Sequence, residues 1–172
     1  MNASRYSKAD VLAAAMRLLD EVGLPDLTMR KLATSLDVQP SALYWHYANK
    51  QSLLAEVSNT IVAFSKPVTK AATWQETAKL EALSLRDALL AFRDGAEVVS
   101  STLALGLGAD QALERLQTSI AIDNQELAHA AAESILFLVL GQVWHEQQRM
   151  QANSLGVADN LELTGTPNLE IG

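Results

Sequence analysis

Four ring side chains follow one another in the segment SALYWHY, which runs from Ser41 to Tyr47. Consecutive helical residues point about 100° apart, so at least one of these rings is expected to face away from the core. Basic side chains stand nearby in the sequence, at Arg30, Lys31 and Lys50. Side chains of these types can meet base edges or phosphates. The pattern favours contact with a nucleic acid, although a small helical bundle with all its rings in the core is open from spacing alone.

The charge distribution restricts this contact to the first third of the chain. The 172 residues carry a net charge of -7. Residues 1–60 hold six basic and six acidic side chains, whereas residues 61–172 hold seven basic and fourteen acidic ones. Only the first part can approach a polyanion without strong repulsion, so we expect two parts with different partners.

Composition excludes several other classes of function. The chain has no cysteine, so neither disulfides nor thiol chemistry is expected. No apolar run reaches the roughly 18 residues of a membrane span, and the N-terminus lacks the apolar segment of a secretory signal, so we expect a cytoplasmic protein without a membrane partner. His46, His129 and His145 are scattered, and no glycine-rich phosphate loop occurs. We therefore expect no catalytic residues, no metal site and no cofactor.

Helical signals cover nearly the whole chain, and the predicted fold class is all-α. Ser7, Thr28, Asn49 and Thr73 are N-cap residues in front of apolar periodic segments. The predicted helices lie between Ser7 and Gly23, over residues 29–36, 40–47, 50–64 and 74–92, after a bend at RDGAEVV, and over residues 111–122 and 125–150. The remaining residues, 151–172, contain several breakers and no sustained period. They are expected to form a loosely structured tail.

The second and third helices match a helix-turn-helix unit, since they are short and separated by about four residues. In that unit the second short helix enters the DNA major groove and the first crosses the backbone. Ala33 is small enough for close packing, and Val38 can fill the space beneath the turn. Leu43 and Tyr47 are four residues apart, so both can face the core while Tyr44 points away.

The segment LTMRKLATSLDVQPSALYWHYANKQSLL, residues 27–54, resembles the DNA-binding domain of the TetR family of bacterial transcriptional regulators. The resemblance implies DNA contacts by Thr28, Arg30, Gln39, Pro40, Ser41, Ala42, Tyr44, Trp45, His46 and Lys50. Within this set, Lys50 would pair with a phosphate, while Arg30 and Gln39 are the better candidates for base contacts. Asp37 stands where the family commonly has glycine, in a left-handed position that aspartate tolerates.

A weaker resemblance continues beyond residue 66, through Trp74, residues 85–99 and residues 140–147. These stretches are similar to the regulatory domain of the tetracycline-repressor branch, which binds a small molecule and forms the dimer. The candidate ligand-binding residues are Phe64, Trp74, Leu85, Phe92, Val99, Thr102, Leu103, Trp144 and His145. Core packing is the alternative role for each leucine, phenylalanine and valine in this set.

Three departures from that branch concern the ligand. Two histidines that contact the drug and its magnesium in the relatives are replaced by Lys66 and Val99, and an asparagine that holds the drug is replaced by Glu81. Without a ligand atom at Val99 a magnesium site loses its protein anchor. The expected effector is therefore a small molecule other than tetracycline.

The stretch AAAESILFLVLGQVW, residues 130–144, is apolar on nearly every side. Such a helix must be covered all round, and a second copy of the chain can supply the missing cover, so we expect a homodimer.

Taken together, the sequence predicts a helix-turn-helix domain over residues 1–50, a connecting helix over 51–66, a regulatory and dimerisation domain over 67–150, and the tail. The predicted function is a ligand-released repressor that binds a palindromic operator in double-stranded DNA. The alternative is a DNA-binding regulator without a small-molecule effector, controlled by a protein partner.

Overall fold

The structure is a computed structural model that describes residues 6–120 and 125–154. Within these residues the secondary structure is helical throughout, as the sequence predicts, and no strand occurs. The helices are α1 (Lys8–Val22), α2 (Met29–Ser35), α3 (Pro40–Leu43), α4 (Lys50–Ala63), α5 (Trp74–Leu90), α6 (Gly95–Leu103), α7 (Asp110–Ser119) and α8 (Gln125–Ser154).

The N-terminal boundaries of four helices follow from their caps. The side chains of Thr28, Asn49 and Thr73 accept backbone N–H groups at the starts of α2, α4 and α5. At α1, Ser7 and Asp10 form the reciprocal capping box that the sequence predicts. Each cap satisfies an N–H group that has no partner within its own helix, so these local signals fix where the helices begin.

Helices α1, α2 and α3 form a small head, and α4 connects this head to the remaining helices. Leu19, Leu32 and Leu43 are fully buried within the head, and each contributes about 1.5–3 kcal/mol through burial. Helix α4 packs against α1 on one side and against α5, α6 and α7 on the other. The buried side chains form one continuous core. The division at residues 50 and 66 stays a prediction.

Some helix ends differ from the predicted ones. Helix α3 ends at Leu43 instead of residue 47, because the His46 N–H bonds to the Leu43 carbonyl three residues back and tightens the chain into a turn. Helix α8 extends to Ser154, four residues beyond the predicted end, so the start of the predicted tail is helical. The rest of that tail, residues 155–172, and the predicted helical residues 121–122 lie outside the described residues.

Helix α8 is long and apolar enough, by length and composition alone, to cross a membrane. The sequence expectation concerned uninterrupted apolar runs, whereas α8 meets the composition test over a window that includes polar residues. In the structure α8 packs against α5, α6 and α7 and buries seven residues, among them Leu136 and Gln147. The core helix of a compact domain meets the same composition test.

Candidate nucleic-acid interface and regulatory surfaces

The segment around α3 divides its side chains between an interior and an open surface. Leu43 and Tyr47 are buried, with 1% and 2% of their surface exposed. Tyr44 is 51% exposed and Trp45 is 87% exposed. Because an indole as open as that of Trp45 contributes little to the fold, its apolar area is available to a partner.

The ten predicted DNA contacts all lie in the head or in the first turn of α4. Thr28, Arg30, Gln39, Ser41, Tyr44 and Trp45 are exposed, and Pro40, Ala42, His46 and Lys50 are half-buried. The hydroxyl oxygen of Thr28 accepts the Lys31 N–H at 3.1 Å, so this residue caps α2 whether or not it contacts a partner. Asp37 has the left-handed φ of 54° predicted for the turn.

The basic side chains of the head differ in whether they have an ion-pair partner. The Lys31 ammonium lies 2.7 Å from the Asp26 carboxylate, and this hydrogen bond and charge hold the pKa of Asp26 below its ordinary value. Arg30 and Lys50 have no ion-pair partner within residues 6–120 and 125–154. Arg30 and Lys50, like the exposed Arg17 on α1, are therefore cations whose charge is available to a polyanion.

The buried ring of Tyr47 fastens the end of the α3 segment to two other helices. Its hydroxyl donates to the Lys8 carbonyl at 3.4 Å, and the Lys8 ammonium lies 5.2 Å from the ring centroid. The same ammonium is 2.5 Å from the Glu56 carboxylate on α4, which raises the pKa of Lys8. Burial likewise raises the pKa of the Tyr47 hydroxyl. The sequence contains no local signal for this cluster, since its members lie 39 and 48 residues apart.

The nine predicted ligand-binding residues do not surround one cavity. Leu85, Val99 and Thr102 are buried in the core. The Thr102 hydroxyl is used within α6, where it lies 3.1 Å from the Val99 carbonyl. The rings of Phe64 and Phe92 contact each other edge to face, with centroids 5.3 Å apart.

The remaining four of the nine residues lie at three different surfaces. Trp74 lines a cleft beside α7, Leu103 and Trp144 line a groove between α6 and α8, and His145 lies in a second groove along α8. The predicted ligand site thus splits into core residues and several surface positions.

The cleft beside Trp74 has a volume of about 820 Å³. Its wall consists of Val68, Lys70, Ala71, Ala72, Thr73, Trp74, Gln75, Thr77, Glu81, Glu114, Arg115, Thr118 and Ser119. The cleft therefore lies between the segment that leads into α5, the first turns of α5, and α7. Of the predicted ligand-binding residues it contains only Trp74, because the sequence gives no indication that α7 packs beside residues 68–77.

Glu81 and Arg115 form a largely buried ion pair in this wall. Their side chains are 12% and 23% exposed. The Arg115 guanidinium also donates to the Ser65 carbonyl at 3.0 Å, the Ser65 hydroxyl at 2.6 Å and the Lys66 carbonyl at 2.8 Å. Glu81, which replaces an asparagine of the tetracycline-repressor branch, is therefore engaged with α7.

The outer face of α8 exposes large apolar side chains. We use this name for Phe137, Leu138, Trp144 and Met150, all of which are exposed. Two grooves of about 680 Å³ and 560 Å³ run along this face and share Phe137 and Gly141. The groove of about 680 Å³ also contains polar side chains, among them Gln142 and Arg149. Exposed apolar residues within a polar surround are typical of an interaction site.

A second cluster joins the head to α8 at the turn between α5 and α6. The guanidinium of Arg93 donates to the Glu21 carbonyl at 3.0 Å, at the C-terminal end of α1. Asp94, with a left-handed φ of 55°, is buried and accepts the Gln151 side-chain amide of α8 at 2.5 Å. The sequence predicts only a bend at these residues, and nothing local identifies their partners in α1 and α8.

The described residues contain no group of three or more histidine, cysteine, aspartate or glutamate side chains arranged to hold a metal ion.

Two family models match this chain and together span most of it. The model described as "Bacterial regulatory proteins, tetR family" matches residues 11–57. The model described as "Tetracyclin repressor-like, C-terminal domain" matches residues 66–164. The first match begins within α1 and ends within α4, and the second begins eight residues before α5.

Individual relatives match over nearly the same length. The tetracycline repressor protein class E of Escherichia coli is 38% identical over 162 residues, which is 91% of this chain and 76% of the relative. The crystal structure of Mycobacterium smegmatis BioQ is 41% identical with a TM-score of 0.83, covering 89% of this chain and 87% of that one. A structure of BioQ with its natural double-stranded DNA operator is 40% identical with a TM-score of 0.80, covering 92% and 95% of the two chains.

Proposed function

The chain belongs to the TetR family of bacterial regulatory proteins, and we propose that it is a homodimeric repressor released from its operator by a small-molecule effector. Members of this family are DNA-binding transcription factors rather than enzymes. The proposed operator is a palindrome, because a two-fold symmetric dimer presents two identical heads to two half-sites. The proposed effector is a compound other than tetracycline.

DNA binding is supported by the side chains around α3, some of which are buried in the head while others are exposed. Leu43 and Tyr47 hold the segment to the head, so Tyr44 and Trp45 can be exposed without loss of the fold. Arg30 on α2 and Lys50 at the start of α4 supply cations in the same part of the chain. In the similar BioQ structure the partner is a double-stranded operator, which supports the same class of partner for this chain.

The outer face of α8 supports the dimer. Phe137 and Leu138 are exposed on a helix whose opposite side is buried against α5, α6 and α7. A second copy related by two-fold symmetry would bring the same face against itself and cover it. This arrangement explains why α8 has the composition of a membrane span without requiring a membrane, and it is consistent with the cytoplasmic location that is general for the family.

Val99 and Glu81 stand where the tetracycline-repressor branch has residues that contact the drug or its magnesium. Their surroundings support an effector other than tetracycline. Val99 is fully buried and offers only hydrocarbon, so it cannot coordinate magnesium. Glu81 is paired with Arg115 and would have to lose this partner to hold a drug. The similarity to a tetracycline repressor supports the mode of control, whereas these residues support a different compound.

One observation favours the second candidate, a regulator without a small-molecule effector. Leu85, Val99 and Thr102 fill the interior in which the sequence predicts a ligand. The cleft of about 820 Å³ beside α7 favours the effector-controlled function instead, since its volume lies within the range of small-molecule sites.

The test is operator binding by the purified protein, measured as fluorescence anisotropy on DNA that flanks its gene. We expect a saturable complex with two protomers per palindromic site and an affinity that falls steeply with salt. The Trp45→Ala variant serves as the control with a weakened interface. Absence of binding to any palindromic fragment at low salt would contradict both candidate functions, and release by a compound from a metabolite screen would separate them.

A further inference from the structure

The cleft beside α7 combines an apolar wall with a balanced set of charges. Val68, Ala71, Ala72 and Trp74 supply the apolar part. At the rim stand one cation, Lys70, and one anion, Glu114. The described residues therefore give the cleft no excess of either charge.

The ion pair in the wall selects against charged ligands. Arg115 already donates to Ser65, Lys66 and Glu81, and both members of the pair are largely withdrawn from water. A ligand carboxylate would displace Glu81 from Arg115, and a ligand cation would displace Arg115 from Glu81. Either exchange leaves one buried charge without its partner, which is strongly unfavourable. An uncharged ligand avoids this loss.

Two hydroxyl groups on the α7 side of the cleft further restrict the ligand. Thr118 donates its hydroxyl to the Glu114 carbonyl at 2.7 Å, and Ser119 donates to the Leu116 carbonyl at 2.6 Å. Because each proton is used within α7, these two hydroxyl oxygens act toward a ligand as acceptors. A matching ligand carries a hydrogen-bond donor.

Helix α7 is fastened to α4 at two points. The Asn59 side chain accepts the Ala109 N–H at 2.8 Å, just before the start of α7. Arg115, in the middle of α7, binds the carbonyls of Ser65 and Lys66 just beyond the end of α4. A ligand that shifts α7 therefore displaces α4, whose first residue is Lys50 in the DNA-binding face.

We propose that this cleft is the effector site and that it takes an uncharged, mainly apolar molecule with a hydrogen-bond donor. In this proposal Arg115 couples the binding of the ligand to the position of α4. The proposal rests on the proposed repressor function and adds to it the class of effector and the residue that couples the cleft to α4. The proposed site differs from the one predicted by resemblance, because only Trp74 of those nine residues lines this cleft.

Two matched dyes test the ligand class. N-phenyl-1-naphthylamine is neutral and has one N–H donor, and 1-anilinonaphthalene-8-sulfonate has the same ring system with a negative charge. Their binding to the full chain is measured by dye fluorescence in 0.3 M salt, which screens long-range repulsion by the acidic domain. We expect the neutral dye to bind at least tenfold more tightly. Equal or tighter binding of the sulfonate would overturn the assignment to an uncharged ligand.

Two variants on the same helix test the location. Thr118→Phe fills the cleft from an exposed position, and Gln111→Phe adds the same ring at an exposed position of α7 that does not line the cleft. We expect Thr118→Phe to weaken binding of N-phenyl-1-naphthylamine at least tenfold and Gln111→Phe to change it less than twofold. Equal effects of the two variants would place the dye elsewhere and overturn the proposal.

The route of release is tested with operator present. Saturating N-phenyl-1-naphthylamine is expected to weaken operator binding at least fivefold in the native chain. A Glu81→Gln/Arg115→Gln double variant removes both charges together and shortens the side chain that reaches Ser65 and Lys66. Because both residues line the cleft, the dye affinity of the variant is measured first, and the coupling is then compared at dye concentrations that saturate each protein. We expect the saturated double variant to lose most of this coupling. Full coupling in the double variant, or none in the native chain, would overturn the route, whereas failure of the dye-free protein to bind operator would contradict the repressor function itself.

Discussion

The Asp94 carboxylate joins the head to the start of α6, because its Oδ2 atom lies 2.8 Å from the Leu24 nitrogen and accepts that buried N–H. Leu24 follows α1 in the head, and Asp94 immediately precedes α6. Gly23 lies so close that a Cβ atom there would be 2.8 Å from the same carboxylate oxygen. The other oxygen binds Gln151 of α8, so one side chain connects three helices.

Asp94→Ala is expected to lower the free energy of unfolding by about 2–4 kcal/mol. The change leaves the Leu24 N–H buried without an acceptor, which costs about 1–3 kcal/mol, and it places a Cβ-bearing residue without a polar side chain at a φ of 55°, which costs roughly a further 1 kcal/mol. Urea denaturation measures the loss. Asp94→Asn keeps one acceptor and tolerates the left-handed backbone, so it should lose less than half as much. Equal losses would contradict the role of the carboxylate.

Trp45→Ala is expected to weaken operator binding by tenfold or more while changing the free energy of unfolding by less than about 0.5 kcal/mol, the usual range for surface positions. The reason is the 87% exposure of the indole. Leu43→Ala, two residues earlier and buried, should instead destabilise the protein by about 2–5 kcal/mol. Anisotropy and urea denaturation on the same preparations separate the two effects. A large stability loss for Trp45→Ala would mean that the indole serves the fold.

The parts of the fold that the sequence predicts correctly depend on local chemistry. The caps at Ser7, Thr28, Asn49 and Thr73 act within three residues of themselves, so their patterns are readable from neighbouring letters. The burial of Leu43 and Tyr47 agrees with their four-residue spacing, because the Tyr47 N–H still bonds to the Leu43 carbonyl although α3 ends at Leu43. The left-handed backbone at Asp37 follows from the turn that the family resemblance implies.

The parts that the sequence does not predict depend on contacts between distant residues. Arg115 meets Glu81 across 34 residues and Asp94 meets Leu24 across 70, and no local pattern selects these partners. The predicted ligand-binding residues illustrate the same limit. Valine and leucine have the same character in a core and in a pocket wall, so Val99 and Leu85 could be assigned to the core only after the helices were packed.

Lys50→Ala is expected to weaken binding by a similar factor on operator and on unrelated DNA. A lysine that pairs with a phosphate releases about one counterion, so the slope of log affinity against log salt should fall by roughly one unit. Titrations from low to moderate salt measure this slope. Lys79→Ala, at an exposed position of α5, is the matched control and should leave the slope unchanged. An unchanged slope for Lys50→Ala would remove Lys50 from the phosphate contacts.

Asp10→Asn is expected to reduce stability at neutral pH but not in strong acid. Hydrogen bonds from the Ser7 hydroxyl and backbone lower the pKa of Asp10 in the folded state. A lowered pKa stabilises the folded protein above the unfolded pKa of about 3.9, and this contribution disappears as the pH falls through the folded pKa. Urea denaturation at pH 7, 4 and 2.5 should therefore show a shrinking difference between native chain and variant. In a Ser7→Ala background the difference at pH 7 should already be smaller, and a difference that grows in acid would refute the assignment.

Phe137→Glu is expected to convert the proposed dimer to monomers at micromolar concentration and to weaken operator binding at least tenfold. Phe137 lies on the outer face of α8 and borders both of its grooves. Two-fold symmetry would bury two copies of the new carboxylate in one interface, where unpaired charges are strongly unfavourable.

Sedimentation velocity measures the association, with circular dichroism to establish that the monomer remains helical. Leu80→Glu, at a comparably exposed apolar position on α5, should leave the dimer intact. If Phe137→Glu remains dimeric, the two copies associate through another surface, and the exposed apolar face of α8 requires a different partner.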